Sequence, residues 1–305
     1  MASGCASSPY RYGRFHPHEP DGVSLEPVVV EYGKPHKTLD RLAWLAGTPD
    51  RLFTLNPKAS NHQISPETLE KLKTYLEEND LTDVLVSVND YDPKGQWRRL
   101  RQNDKVAPLW RYSVGTMSWL GYVLIPNRVV GGDYYDPFTN TLNITSDVPA
   151  LALAQAAYAK DIHSRSLPGT YATLSELPGL SFVRSGRATN DVVGYARLRN
   201  SWEDEKEAYH VLYPHVGSQM FGPAAHFVPV AGPFLSAGGA LAGHATGRAI
   251  TALHKPDEKN ALEDINGIVQ TAGTDEAADG ESMTAPGESD ASGGDGIVPK
   301  GFDES

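Results

Sequence analysis

Pro149-Ala-Leu-Ala-Leu-Ala-Gln-Ala-Ala-Tyr-Ala-Lys-Asp-Ile162 is a run of strong helix formers with no charge until its last turn. Asp147 stands where an N-cap is needed, and Pro149 falls in the first turn, where a missing N–H costs nothing. The run is entered from Asp136-Pro-Phe-Thr-Asn-Thr-Leu-Asn-Ile-Thr-Ser-Asp147, which reads as a turn and a polar strand. A strand feeding so apolar a helix predicts a helix buried at the centre of a domain.

Positions 154 and 158 of that helix share a face, and 155 lies beside the first of them. The surrounding segments carry a resemblance. They are Asp90-Tyr-Asp-Pro93, Trp110-Arg-Tyr-Ser113, Gly132-Asp-Tyr-Tyr-Asp-Pro-Phe-Thr-Asn-Thr141, Ala157-Tyr-Ala-Lys-Asp161 and Glu207-Ala-Tyr-His-Val-Leu-Tyr-Pro214. From Val84 to Gly222, a little under half of its length, the chain resembles a group of bacterial zincin-like lipoproteins. In that family the helix is expected to read His-Glu-x-x-His-Ala-Lys-Asp. Two His at i and i+4 hold Zn²⁺, and the Glu activates the bound water. This chain keeps Ala159, Lys160 and Asp161 but has Ala154, Gln155 and Tyr158 at the chemical positions. Ala has no donor atom, Gln cannot take a proton, and neutral Tyr is a poor zinc ligand. The resemblance implies a gluzincin-type third ligand on a later helix, Trp202 to Leu212, where Glu207 is the best match and Glu203 a weaker one. The same Ala/Leu-rich residues also describe a plain core helix. Both readings expect no zinc hydrolysis here and no metal or other cofactor.

The resemblance implies an α+β, zincin-like fold, with a small sheet over the central helix and an edge strand able to pair with an extended peptide or protein partner. The residues supply suitable elements. Val23 to Val30 and Asp83 to Asn89 read as strands, as do Arg128 to Tyr134 and Thr139 to Thr145, linked by an Asp-Pro turn. Thr38 to Leu45 reads as a short helix stopped near Gly47 and Pro49. Pro66 to Glu78 is a clearer one, with Ser65 as N-cap and Leu69, Leu72 and Leu76 as its apolar stripe. Trp97 to Asn103 suits a short amphipathic helix; Trp110 to Ile125 begins as helix and reads as extended from Tyr122. The domain so outlined spans residues 23–254.

The net charge of −11 is uneven: Lys255 to Ser305 hold 13 acidic and 3 basic residues, so the rest is almost neutral. A nearly neutral domain argues against nucleic-acid binding by a broad basic face. The basic cluster Arg98, Arg99 and Arg101 reads as a solvated helix face, with a phosphate-binding site as the minor alternative. Residues 255–305, rich in Gly, Ser, Ala, Asp and Glu, are expected to be disordered.

The single cysteine, Cys5, excludes an intrachain disulfide. Ala2-Ser-Gly-Cys-Ala-Ser-Ser-Pro9 resembles a bacterial lipobox, with residues 1–22 as a flexible tether. That resemblance implies lipidation at Cys5, a signal peptide upstream of this start, and attachment to the bacterial cell envelope facing the periplasm. A chance cysteine in a tail is the alternative. In the Gly/Ala-rich helix expected over 234–253, Gly239, Gly243 and Gly247 recur every four residues and line one face suited to close helix packing. Pro229, Pro233, His244 and Arg248 oppose a membrane span.

The expected function is that of a catalytically inactive metallopeptidase homologue, a membrane-anchored binding or scaffold protein. Two alternatives stand beside it. One is a metalloenzyme with a rearranged site using His163 and Glu207. The other is a structural membrane protein built on the glycine-striped helix. No serine-hydrolase elbow or phosphate-binding glycine loop is present.

Overall fold

The computed structural model describes residues 27–34, 37–126, 132–177, 180–227 and 232–253. The tether with Cys5 and the acidic tail expected over 255–305 lie outside the described residues, as do Val23 to Glu26 and Arg128 to Gly131 of two expected strands.

The chain is a mostly helical α/β protein with one small mixed sheet. Four strands, β1 (Val30–Tyr32), β2 (Leu85–Val88), β3 (Tyr134–Asp136) and β4 (Thr141–Ile144), lie in the order β1-β2-β4-β3. The first three in that order are parallel, and β3 pairs antiparallel with β4 at the edge. Helices therefore alternate with parallel strands, which departs from the segregated α+β arrangement expected. Parallel neighbours need long crossovers. Three helices supply the first, α1 (Lys37–Ala46), α2 (Thr48–Thr54) and α3 (Pro66–Glu78); α4 (Pro93–Gln102), α5 (Pro108–Tyr112) and α6 (Val114–Leu124) begin the second. The β3–β4 hairpin turns through Asp136-Pro-Phe-Thr-Asn140. Asp136 Oδ1 accepts from the Phe138 N–H at 2.8 Å, and Asn140 takes a φ of 50°, which Asn tolerates better than most residues.

β4 runs into α7 (Pro149–His163), and twelve of the fifteen residues of α7 are buried. The sheet covers one side of it, through Leu142 and Ile144 of β4 and Tyr135 of β3. α3, α8 (Pro168–Ser175), α9 (Leu180–Leu198) and α10 (Trp202–Phe227) enclose the others. Asp147 does not cap this helix. Val148 is the N-cap residue and makes no side-chain cap bond. Asp147 Oδ1 instead accepts from Ser65 N–H (2.8 Å), Ser65 Oγ (2.6 Å) and Thr68 Oγ1 (2.7 Å), buttressing the start of α3. Burial alone would raise the Asp147 pKa, but these bonds hold it below the usual carboxylate value.

Other boundaries moved for local reasons. Pro49 does not merely stop α1; it sits in the first turn of α2 and begins it. Tyr122 to Leu124 are helical rather than extended. The Tyr122 hydroxyl, fixed by accepting from the Asp92 N–H at 2.9 Å, anchors that last turn of α6 before Pro126. α10 runs past Leu212 and through Pro214, although proline leaves the His210 carbonyl without its helical donor. Packing against α11 (Gly232–Leu253) carries it through.

That last contact uses the glycine stripe. A Cβ on Gly243 would lie 2.3 Å from the Tyr213 carbonyl oxygen, and one on Gly247 would lie 2.3 Å from that of Tyr209. Across the interface a Cβ on Gly217 would meet the Gly239 carbonyl at 2.2 Å. The spacing therefore serves backbone-to-backbone packing within the chain. Among the described residues no helix is long and apolar enough to cross a membrane. Gly243→Ala is expected to lower stability by about 1–3 kcal/mol through overpacking. Gly238→Ala, which faces open space, should be neutral or gain about 0.4–1 kcal/mol. Urea midpoints compare the two directly, and equal midpoints would contradict the packing described.

Candidate functional site

Ala154, Gln155 and Tyr158 line one small cavity of about 30 Å³, space for one or two waters. Its walls come from α9 and α10 and include Arg184, Ala188, Leu212, His215 and Gln219. Tyr158 is fixed at both ends. Its hydroxyl lies 2.9 Å from Ser175 Oγ, and the Arg184 guanidinium sits 4.7 Å from its ring centroid. Burial pushes its hydroxyl up to a pKa of about 12. Arg184 is itself paired with Glu176.

His215 shares this cavity. Ser185 Oγ donates to the Gln219 amide oxygen, which leaves the Gln219 amide nitrogen to donate to His215 Nε2 at 2.8 Å. Burial lowers the His215 pKa, so the ring is neutral with Nε2 occupied as an acceptor.

Glu207 is elsewhere. Its Oε2 accepts from the Ala150 N–H at 3.1 Å, so it satisfies the first turn of α7 that Val148 cannot cap. Burial raises its pKa and the Ala150 bond partly offsets that. Ala150 precedes Ala154 and Tyr158 by one and two helical turns, about 6 and 12 Å along the axis. Glu207 instead lines two other cavities, of about 290 and 280 Å³, on the N-terminal side of α7, with Glu203 in the first. That first cavity also holds His210 and His244, but His210 meets Thr251 Oγ1 at 3.1 Å and His244 meets the Phe53 carbonyl at 2.9 Å.

His163 lies at the far end of α7. It borders a wide cavity, about 800 Å³, with Tyr135, Asn140, Lys105 and Arg165. Its Nε2 lies 3.1 Å from Asn140 Oδ1, which also accepts from Tyr135 Oη at 2.7 Å. Burial is the main cause that lowers the His163 pKa to about 4, with Lys105 adding and Asp83 opposing. Thirteen residues, about 20 Å of helix, separate His163 from Ala150. His163 and Glu207 therefore cannot share one metal ion. Among the described residues no group of three His, Cys, Asp or Glu side chains is arranged to hold a metal.

The polar tail of α7 is paired inside the protein. Lys160 Nζ meets Asp191 Oδ1 at 3.0 Å, both side chains 3% exposed, and the Tyr75 hydroxyl donates to the same carboxylate. Burial lowers the Lys160 pKa to about 8. Asp161 pairs with Arg165 and accepts from Tyr171 Oη at 2.5 Å.

No family model matches the chain, and no curated protein or solved structure matches it.

The His163 environment yields a pH dependence. The unfolded chain binds a proton at His163 below about pH 6.5, whereas the folded chain refuses it down to about pH 4. Stability is therefore lost as pH falls through that window, by up to about 3 kcal/mol. Asp133, whose pKa burial raises to about 6, acts with the opposite sign over part of the same range. The difference between wild type and His163→Gln isolates the histidine: the variant should lose less stability between pH 6.5 and 4. Parallel unfolding curves at every pH would refute the assignment.

Proposed function

We propose that this chain is a zincin-like protein without hydrolytic chemistry, acting as a binding or scaffold protein held at a bacterial membrane. One observation carries the reading. β4 feeds a buried central helix beside an antiparallel edge strand, and the three positions where ligands and base are expected line one cavity as Ala154, Gln155 and Tyr158. Three further features support it. The Arg184 guanidinium over Tyr158 occupies space beside the former metal position. The His215 acceptor nitrogen is taken by Gln219. Glu207 has become a helix cap. These groups stabilise the fold around the lost site and offer water no activating base.

Binding would use the sheet edge. β3 ends the strand order, so one of its edges has no strand partner among the described residues. An extended peptide can add there through main-chain hydrogen bonds. The strand is three residues long, so such pairing needs side-chain contacts as well. The rearranged-metal alternative loses its support, because His163 and Glu207 lie at opposite ends of α7.

Purified protein is expected to hold no stoichiometric zinc and to leave peptide substrates intact. One equivalent of tightly held zinc by elemental analysis would overturn the reading. Its descent can be tested by gain of function. Ala154→His, Gln155→Glu and Tyr158→His together set two imidazoles at i, i+4 beside His215. The triple variant should bind zinc, more weakly once His215→Ala is added and equally well with Glu207→Ala. A folded triple variant that binds no zinc would leave a plain core helix as the better account.

The anchor is tested separately. Expressed behind a lipoprotein signal peptide, the chain should incorporate labelled fatty acid and its Cys5→Ser variant should not. Equal labelling of the two removes the lipid anchor.

A further inference from the structure

We propose that the cavity beside His163, at the C-terminal end of α7, binds a small organic carboxylate with an apolar body. The inference uses neither the Ala154–Tyr158 cavity nor Cys5.

The first observation is the space and the charge of its wall. At about 800 Å³ the cavity falls within the size range of small-molecule sites. Leu81, Val106, Pro137 and Ile162 give it an apolar side suited to the body of an organic ligand. Three cations, Lys105, Lys160 and Arg165, line it, against one carboxylate, Asp80. The cations do meet carboxylates, Asp83, Asp191 and Asp161, but none of these three lines the cavity. The ligand therefore faces the cations, with their counter-charges behind the wall.

The second observation is a surplus of donors. Lys160 is buried and spent on Asp191. Lys105 is exposed, and its Nζ meets Asp83 Oδ2 at 2.7 Å and no other acceptor among the described residues. Arg165 donates to Asp161 through one nitrogen, while its Nε is buried without a hydrogen-bond partner. An ammonium carries three N–H groups and a guanidinium five, so both side chains keep donors in hand. A carboxylate only accepts, and its bonds to such donors are charge-assisted.

The third observation is an uncharged floor. Asn140 turns its amide nitrogen to Asp83, meeting the carbonyl at 3.1 Å and Oδ2 at 2.6 Å. Its Oδ1 therefore accepts from Tyr135 Oη at 2.7 Å and from His163 Nε2–H at 3.1 Å. Burial keeps that imidazole neutral, and both donors are used up. The floor leaves a head group nothing to bind, so the head belongs with Lys105 and Arg165 and the body lies against the apolar side.

The test is a charge series on one body. The full chain is titrated by calorimetry with 4-phenylbutyrate, neutral 4-phenylbutan-1-ol and cationic 4-phenylbutylammonium. The carboxylate should bind about tenfold or more tighter than the alcohol, and the ammonium weakest of all. Lys105→Gln with Arg165→Gln should remove the advantage of the carboxylate. Asp83 then keeps the Asn140 amide and Asp161 keeps Tyr171, so neither carboxylate is stranded, and unchanged melting curves confirm that the variant folds. Arg98→Gln with Arg101→Gln removes the same charge from exposed positions on α4 and should leave binding unchanged. Absence of carboxylate binding overturns the proposal, as does equal or tighter binding of the alcohol or the ammonium by the wild type. Equal losses in the two double variants also overturn it, because they reduce the effect to overall charge.

Discussion

A helix buried on every side has no water to hydrate its polar groups, so each must find a partner among the elements that enclose it. α7 meets that constraint three times in its last two turns. Tyr158 requires Ser175 and Arg184, Lys160 requires Asp191 and Tyr75, and Asp161 requires Arg165 and Tyr171. These partners come from α3, α8 and α9, as well as from just beyond α7 itself. The position of each surrounding helix is thus tied to a polar atom on α7 as well as to apolar contact. The Lys160–Asp191 pair is the most demanding. With both side chains almost fully buried, removing either partner strands a charge, at a cost of about 3–5 kcal/mol.

Much of this was legible along the chain, and the failures have physical causes. α7 was evident because its propensity and first-turn proline agree with its burial. α3 was equally plain, since Ser65, Pro66 and the Leu69-Leu72-Leu76 stripe all point one way. α8 and α9 were the principal omissions in the expected elements. α9 does carry a signal, since Ala188, Val192, Tyr195 and Ala196 recur at helical spacing, but Asp191 stands within that buried face and breaks the pattern. The interruption is the partner of Lys160, and no local rule anticipates a bond made across 31 residues. Asp147 misled for a related reason. Its side chain serves a helix distant in sequence, and the helix beside it is satisfied by Glu207.

The candidate site was legible as a set of positions and illegible as a shape. Ala154, Gln155 and Tyr158 do face one space. Glu207 does not join them, because helix spacing on α7 and α10 separately cannot say how far one slides along the other. Residue type suggested Glu207, while geometry brings His215 to the cavity. The glycine stripe of α11 shows the reverse case: the spacing announced close approach, and only the fold could say that the approach is to α10.

The buttress at the start of α3 has a consequence for assembly. Ser65 and Thr68 receive Asp147 from 82 and 79 residues away. A nascent chain released only as far as α3 has the helix and its own Ser65 cap, but lacks the buried carboxylate that draws both hydroxyls together. That acceptor arrives after β2 and the β3–β4 hairpin have been synthesised, and closing so long a loop carries an entropic cost before any contact rewards it. The secure seating of α3 is therefore coupled to completion of the sheet. During synthesis, α3 is therefore held in full only after the middle third of the chain has emerged.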